Sequence, residues 1–401
     1  MDNPSYMLKR KLQPHIQKLA KKYPIVTILG PRQSGKTTLA RTAFPDKPYV
    51  NMEDAENRAL ATSDPKSFLQ AYPDGAVLDE VQRVPHLLSY LQVLVDEQDR
   101  KGMFILTGSH QVDLHAAITQ SLAGRTVIVR LLPLSLQEIR EAGVTDTIEE
   151  IILKGGYPRI YKDDLPISPT YSSYFQTYVE RDVRQILHIK DLLAFERFVK
   201  LTASRVGQLV NYVSLASDVG VSPTTIKEWI FVLEATYLLV RLEPYFENFG
   251  KRMIKSPKIY FADTGLVCHL LGITHVDQLV KDPLYGNIFE NWVVIELMKS
   301  CYNEVIDPPF YFYRDVAGQE VDLIAQRGSF LTPIEIKSGK TFSPAFLKGL
   351  KAFHKKAAAR AVDGAVIYGG EKSQIIGTFE LVAVEQCTKV VASVTPPFPS
   401  P

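Results

Sequence analysis

One stretch constrains the fold of this chain more than any other: Gly30-Pro31-Arg32-Gln33-Ser34-Gly35-Lys36-Thr37. It follows an apolar run, Pro24-Ile25-Val26-Thr27-Ile28-Leu29, and precedes a helical pattern, so the glycines stand at a strand-to-helix turn. The pattern G-x-x-x-x-G-K-[ST] at such a turn is a phosphate loop. Its glycines let the backbone wrap until successive N–H groups face inward, and the helix N-terminus behind adds a favourable dipole. In that geometry the Lys36 ammonium bridges the β- and γ-phosphates and the Thr37 hydroxyl ligates magnesium. The expected ligand is ATP with magnesium, held by Gly30, Pro31, Arg32, Gln33, Ser34, Gly35, Lys36, Thr37 and Thr38.

Short apolar runs recur at 49–52, 76–78, 103–106 and 126–130, with helical patterns between them. Strands alternating with helices imply βαβ units, hence an α/β fold with a parallel sheet covered on both faces. Ala76-Val77-Leu78-Asp79-Glu80 ends one strand in two acids, at the sheet edge where open α/β folds bind ligands. Asp79 is the expected second magnesium anchor and Glu80 the group that polarises the attacking water. Thr107, closing the strand in Phe104-Ile105-Leu106-Thr107-Gly108-Ser109, is a candidate to sense phosphate or orient water. Arg125 is the candidate arginine finger, in cis or from a neighbouring subunit, with Arg130 the competing choice.

A chain of 401 residues is expected to hold two or three domains. Apolar and charged fractions of 46% and 22% suit a soluble globular protein, and no apolar run reaches the length of a membrane span. The opening MDNPSYMLKRKLQPH has no apolar segment of secretory type, and Cys268, Cys301 and Cys387 are scattered. A cytoplasmic protein with reduced thiols and no membrane partner is therefore expected. The net charge of +2 does not mark a nucleic-acid binder. Two basic clusters stand out, one spanning Lys9, Arg10, Lys11, Lys18, Lys21 and Lys22, the other Lys348, Lys351, Lys355, Lys356 and Arg360. Each reads as a phosphate-meeting face or as a solvated helix surface. Residues 8–23 read as an amphipathic helix, which Pro14 kinks or starts late.

The motifs GPRQSGKTT, LDEVQRVP, ILTGSH, LAGR, GGYP, YVERDV, FENWVVIEL, EVDLI and IEIKSG occur in this order along the chain. As a set they make it resemble the prokaryotic AAA-like ATPases whose C-terminal half is a domain of uncharacterised function. The resemblance implies a P-loop core, a winged-helix-like middle and a smaller α/β restriction-endonuclease-like domain. The expected divisions are 1–165, 166–257 and 258–393, with a proline-rich tail at 394–401.

Within the middle segment, Leu215 to Ile230 resembles a helix-turn-helix, with Ser222 capping the second helix and Pro223 in its first turn. Thr224, Thr225 and Lys227 would then face outward. This module either touches DNA or serves as a packed spacer between domains. Further on, Glu320 to Lys337 reads as a hairpin turning at Arg327-Gly328-Ser329. Residues two apart on a strand share a face, so Glu335 and Lys337 point together, and pairing brings Asp322 beside them. With Glu290 from the helix at 288–299, this resembles the acid-and-lysine set of metal-dependent phosphodiester hydrolysis. Plain charge pairing on an exposed strand is the other reading. The function expected is thus ATP binding and hydrolysis coupled to a DNA-interacting module. A slow nucleotide switch and an ATP-gated DNA nuclease stand as alternatives, and self-association stays open.

Overall fold

The computed structural model describes residues 8–109, 121–178, 191–245 and 256–394. His110 of ILTGSH, residues 179–183 of YVERDV and the tail beyond 394 lie outside the described residues.

Five strands form the first sheet: β1 (Ile25–Leu29), β2 (Tyr49–Asn51), β3 (Val77–Asp79), β4 (Phe104–Gly108) and β5 (Thr126–Arg130). All pairs are parallel, in the order β2-β3-β4-β1-β5. Both faces of β1 are buried because its side chains alternate between two cores. Val26 and Ile28 pack with Leu12, Ile16 and Leu39 on one side, while Ile25 and Leu29 pack with Leu78, Leu91 and Leu106 on the other. A continuous apolar run is what such a doubly covered strand needs, and each fully buried side chain of this size contributes ~1.5–3 kcal/mol. Pro14 does not kink a longer helix. It sits in the first turn of the helix Gln13–Ala20, where its missing N–H costs nothing.

The middle region is helical. The helices Leu192–Ala203, Tyr212–Val219 and Pro223–Ala235 pack around Phe195, Phe198 and Trp229, whose rings meet at 5.2–5.8 Å. A two-stranded antiparallel pair follows, β6 (Leu239–Leu242) with β7 (Lys258–Phe261). Residue 258, the expected start of the third segment, therefore opens a strand that pairs back onto the second.

The C-terminal sheet is mixed. β8 (Phe310–Arg314), β9 (Glu320–Arg327), β10 (Phe330–Lys337), β11 (Ala365–Tyr368), β12 (Gln374–Ile376) and β13 (Phe379–Ala383) lie in the order β12-β13-β11-β10-β9-β8. Ala365 and Ile367 of β11 face the long helix Tyr285–Asn303, within a core that extends from Leu132 through the middle helices to Val391. Val366 and Tyr368 face the opposite side, against Phe353 of the helix Lys348–Ala357. The middle region and the C-terminal sheet thus share one continuous core. Among the described residues, no helix is long and apolar enough to cross a membrane.

Candidate nucleotide site

The loop between β1 and the helix Lys36–Ala43 carries the sequence's strongest motif, and its backbone shows why glycine stands where it does. A Cβ on Gly30 would lie 2.1 Å from the Leu131 carbonyl oxygen, so no larger residue fits there. Gly35 caps the helix in the left-handed region at φ 93°, which side-chain-bearing residues seldom adopt. Lys36 is buried and folds back over the loop, its Nζ donating to the carbonyls of Gly30 at 3.0 Å and Pro31 at 2.8 Å.

The acidic edge meets the loop directly. Asp79, at the end of β3, accepts from the Thr37 hydroxyl at 2.9 and 3.1 Å and from the Tyr49 hydroxyl at 2.6 Å. β4 lies between β1 and β3 and pairs Thr107 with Ile28. The Thr107 hydroxyl accordingly bridges the acids, donating to Asp79 and accepting from the Glu80 N–H at 3.1 Å. Glu80 itself sits in the left-handed region at φ 56°. Its carboxylate takes hydrogen bonds from the Gln82 amide and from the Ser109 hydroxyl at 3.2 Å. Burial alone would raise the Glu80 carboxyl. Lys36, Gln82, Arg32 and Ser109 outweigh it and hold the group below its ordinary value, hence ionised.

A cavity of about 800 Å³ opens above the loop. Its floor includes Gly35, Lys36 and Thr37, and Glu80 lies on its rim. Two walls come from outside the parallel sheet. One is the segment before β1, with Leu8, Arg10 and Gln13, and the other is the short helix Pro158–Lys162. That helix is fixed by the GGYP turn. The Gly156 N–H donates to the buried Asp263 carboxylate at 2.6 Å, and the Tyr171 hydroxyl donates to the same group at 2.6 Å. A Cβ on Gly155 would collide with both Tyr171 and Asp263.

Residues 22–140, which contain the loop, the acids and Thr107, match the family described as AAA domain. Residues 145–277 and 285–387 match two domains of unknown function, DUF8612 and DUF4143. Over 353 residues the chain is 31% identical to uncharacterized proteins of Mycobacterium tuberculosis (Rv2008c) and Mycobacterium bovis (Mb2031c), spanning 87% of this chain and 77% of each relative. The chain belongs to their family. It is an AAA-type P-loop ATPase domain followed by two C-terminal domains of unknown function. Among solved structures it is similar to the Walker-type ATPase paby2304 of Pyrococcus abyssi, at 14% identity and TM-score 0.43, over 65% of this chain and 94% of that one.

Other expected residues of this AAA family member fall elsewhere. Arg125 immediately precedes β5, whose first residue pairs with Ile25 at the start of β1, while the phosphate loop follows the end of β1. It therefore lies at the opposite end of the strands, in a bidentate pair with Asp96 at 2.6 and 2.7 Å, and cannot serve its own site in cis. Arg130 reaches the correct end but turns away, its guanidinium over the Tyr302 ring at 5.3 Å and 3.5 Å from Asp307. In the helix-turn-helix, Ser222 caps the helix Pro223–Ala235 as expected and Thr224 is exposed. The Thr225 hydroxyl is taken up by Ser222 at 2.9 Å, and exposed Lys227 lies over the Tyr212 ring at 5.5 Å.

The C-terminal acids do come together. The β9–β10 register ends at Leu323↔Ile334, which sets Asp322 beside Glu335 on the next rung. What the sequence did not signal is Lys258, on β7, buried with Nζ 3.0 Å from Glu290 and 2.6 Å from Glu320. Lys337 in turn lies 3.0 Å from Asp322 and 2.5 Å from Glu335. Burial and the neighbouring Asp322 push the Glu335 carboxyl up to about 8. Burial acts on Asp322 in the same sense, yet Lys337 and Lys258 keep it below its ordinary value. Asp322 thus carries the charge and Glu335 the proton. Both ammonium groups are paired with these acids, and among the described residues no group of three or more His, Cys, Asp or Glu side chains is placed to hold a metal. The expected ligand set Glu290, Asp322, Glu335 and Lys337 is therefore a charge-paired cluster in this structure.

Proposed function

We propose that the chain binds ATP with magnesium in the phosphate loop and hydrolyses it. The observation that carries this reading is the convergence of Thr37, Asp79 and Glu80 at the mouth of the loop, with the hydroxyl on Asp79 and the adjacent acid ionised beside Lys36. Thr37 Oγ and the Asp79 carboxylate form an all-oxygen set of the kind magnesium prefers. The metal would supply charge neutralisation for the phosphates. The loop N–H groups hold those phosphates, and Lys36 leaves the Gly30 and Pro31 carbonyls to meet them. Thr107 fixes Asp79 and the Glu80 backbone together. Glu80, kept ionised, accepts the proton of the attacking water, while Gln82 and Ser109 set the direction of its carboxylate.

Steady-state phosphate release tests this: wild type turns over, and Glu80→Gln retains ATP binding without turnover. Loss of binding in that variant, or equal turnover, would sink the assignment of Glu80. The hydrogen bonds that Gln82 and Ser109 place on Glu80 also favour a second reading, a slow switch in which binding rather than turnover carries the signal. A turnover rate that stays negligible under every partner condition selects it.

We further propose that nucleotide state is coupled to a DNA-interacting module in the middle region. The capped helix Pro223–Ala235, with exposed Thr224 and Lys227, supports this. The comparison that decides is ATP turnover with and without DNA. Stimulation lost in Lys227→Glu supports the coupling, and DNA affinity unchanged by that substitution counts against it.

A further inference from the structure

Arg10 stands in a lysine-rich stretch that reads as a solvated face, yet it is buried and spans three partners. Its Nη1 donates to the Ser34 carbonyl of the phosphate loop at 2.6 Å, and its Nη2 to the Leu132 carbonyl at 2.7 Å. Its Nε donates to Glu138 at 3.0 Å. Glu138 is fixed in turn by the backbone N–H groups of Lys11 at 2.8 Å and Ser135 at 2.9 Å. This places a rigid fork against one particular peptide of the loop, Ser34–Gly35.

We propose that Arg10 is a positioning residue of the nucleotide site, orienting the Ser34–Gly35 peptide so that the Gly35 N–H is presented to phosphate. In a planar trans peptide the C=O and N–H point in opposite directions, and no peptide bond among the described residues is cis. Holding the Ser34 carbonyl on the guanidinium therefore aims the Gly35 N–H away from Arg10. Gly35 lets the peptide flip, since glycine accepts either sign of φ at little cost. A flipped peptide would put a carbonyl oxygen where an anion must bind. A rigid fork with two carbonyl ligands and a fixed acid selects one orientation, which a lysine point charge cannot do. The segment before β1 is on this account part of the site as well as one of its walls. The proposal rests on the reading that the loop binds nucleotide phosphate.

The test is a KM-against-kcat comparison with direct titration of ATP and ADP by calorimetry. Arg10→Gln is expected to raise KM for ATP, and Kd for both nucleotides, by about tenfold or more, the loss typical of a hydrogen bond to a charged group. Its kcat should stay within about threefold, because an effect on ground-state binding leaves kcat unchanged. Glu138→Gln removes the fixed acid of the fork and should raise KM in the same direction, by less than Arg10→Gln. If Arg10→Gln does not fold, Arg10→Lys carries the same expectation, since it keeps the charge beside Glu138 but loses the planar fork that reaches Ser34, Leu132 and Glu138 from three nitrogens. A purely structural role would lower the active fraction and the melting temperature with KM unchanged, and that result overturns the proposal. Absence of ATP binding by wild type removes the functional reading itself, which the wild-type titration shows separately.

Discussion

The phosphate loop and the C-terminal cluster use the same residue types, carboxylates beside lysine, and arrive at opposite chemistry. At the loop, Lys36 donates to two neutral carbonyls and Asp79 accepts from hydroxyls, and Lys36, Thr37 and Glu80 line an open cavity. At the cluster, Lys258 and Lys337 sit directly on Glu290, Glu320, Asp322 and Glu335, and one acid keeps its proton. A site that must receive a charged ligand keeps its own charges on weak dipolar partners. One that holds a fold together cancels them internally.

Four measurements would break or sharpen that contrast. Glu80→Gln should lower kcat by about 10²-fold or more, the usual contribution of a positioned general base, with ATP affinity retained. A decrease of only a few-fold would align the loop with the silent cluster. Lys258→Met should destabilise the chain by about 3 kcal/mol in denaturant unfolding, because it leaves buried carboxylates without their cation. If stability is unchanged while a divalent cation becomes bound, the cluster is a latent metal site and the contrast fails.

The third measurement is the pH dependence of stability. Glu335 has a folded value of about 8 against an ordinary 4.5, so the folded form holds an extra proton between those limits. Its contribution is full below 4.5 and declines as pH rises towards 8. The slope is at most about 1.4 kcal/mol per pH unit. Glu335→Gln should flatten the decline; a wild-type curve that rises across this window would contradict the protonated assignment. The smallest effect is expected of Arg125→Ala, which should leave ATP turnover unchanged. A large loss of turnover in that variant would instead show Arg125 acting on a neighbouring subunit's nucleotide.

The parallel sheet and the loop were legible in the sequence because both are local. Ile25 to Leu29 signals a doubly buried strand by its apolar run, and Gly30 to Thr37 carries its own backbone requirements. The β9–β10 hairpin was legible for the same reason, since alternation and a Gly328 turn set its register. β6 and β7 were not, because neither buries a distinctive pattern and their pairing spans residues far apart. Lys258 stayed hidden on that account: nothing near it in sequence announces Glu290 or Glu320. Arg10 was hidden by its neighbours, as Lys9 and Lys11 make the stretch look solvated. A signal was available in the lone arginine, the one planar fork there able to hold two carbonyls and a carboxylate in fixed directions. The in-cis half of the Arg125 expectation could not be decided from sequence because a strand has two ends, and only the pairing of Thr126 with Ile25 shows which end it occupies.

The helix Pro158–Lys162, pinned through Gly156 to Asp263, has a practical consequence. A fragment ending where the AAA match ends, at residue 140, would keep the phosphate loop and both acids. It would nonetheless lose a wall of the cavity, and the carboxylate that steadies that wall lies more than a hundred residues further on. Nucleotide affinities measured on such a fragment would describe a half-built vessel, and a substitution at Asp263 would be felt in ATP binding despite its distance along the chain.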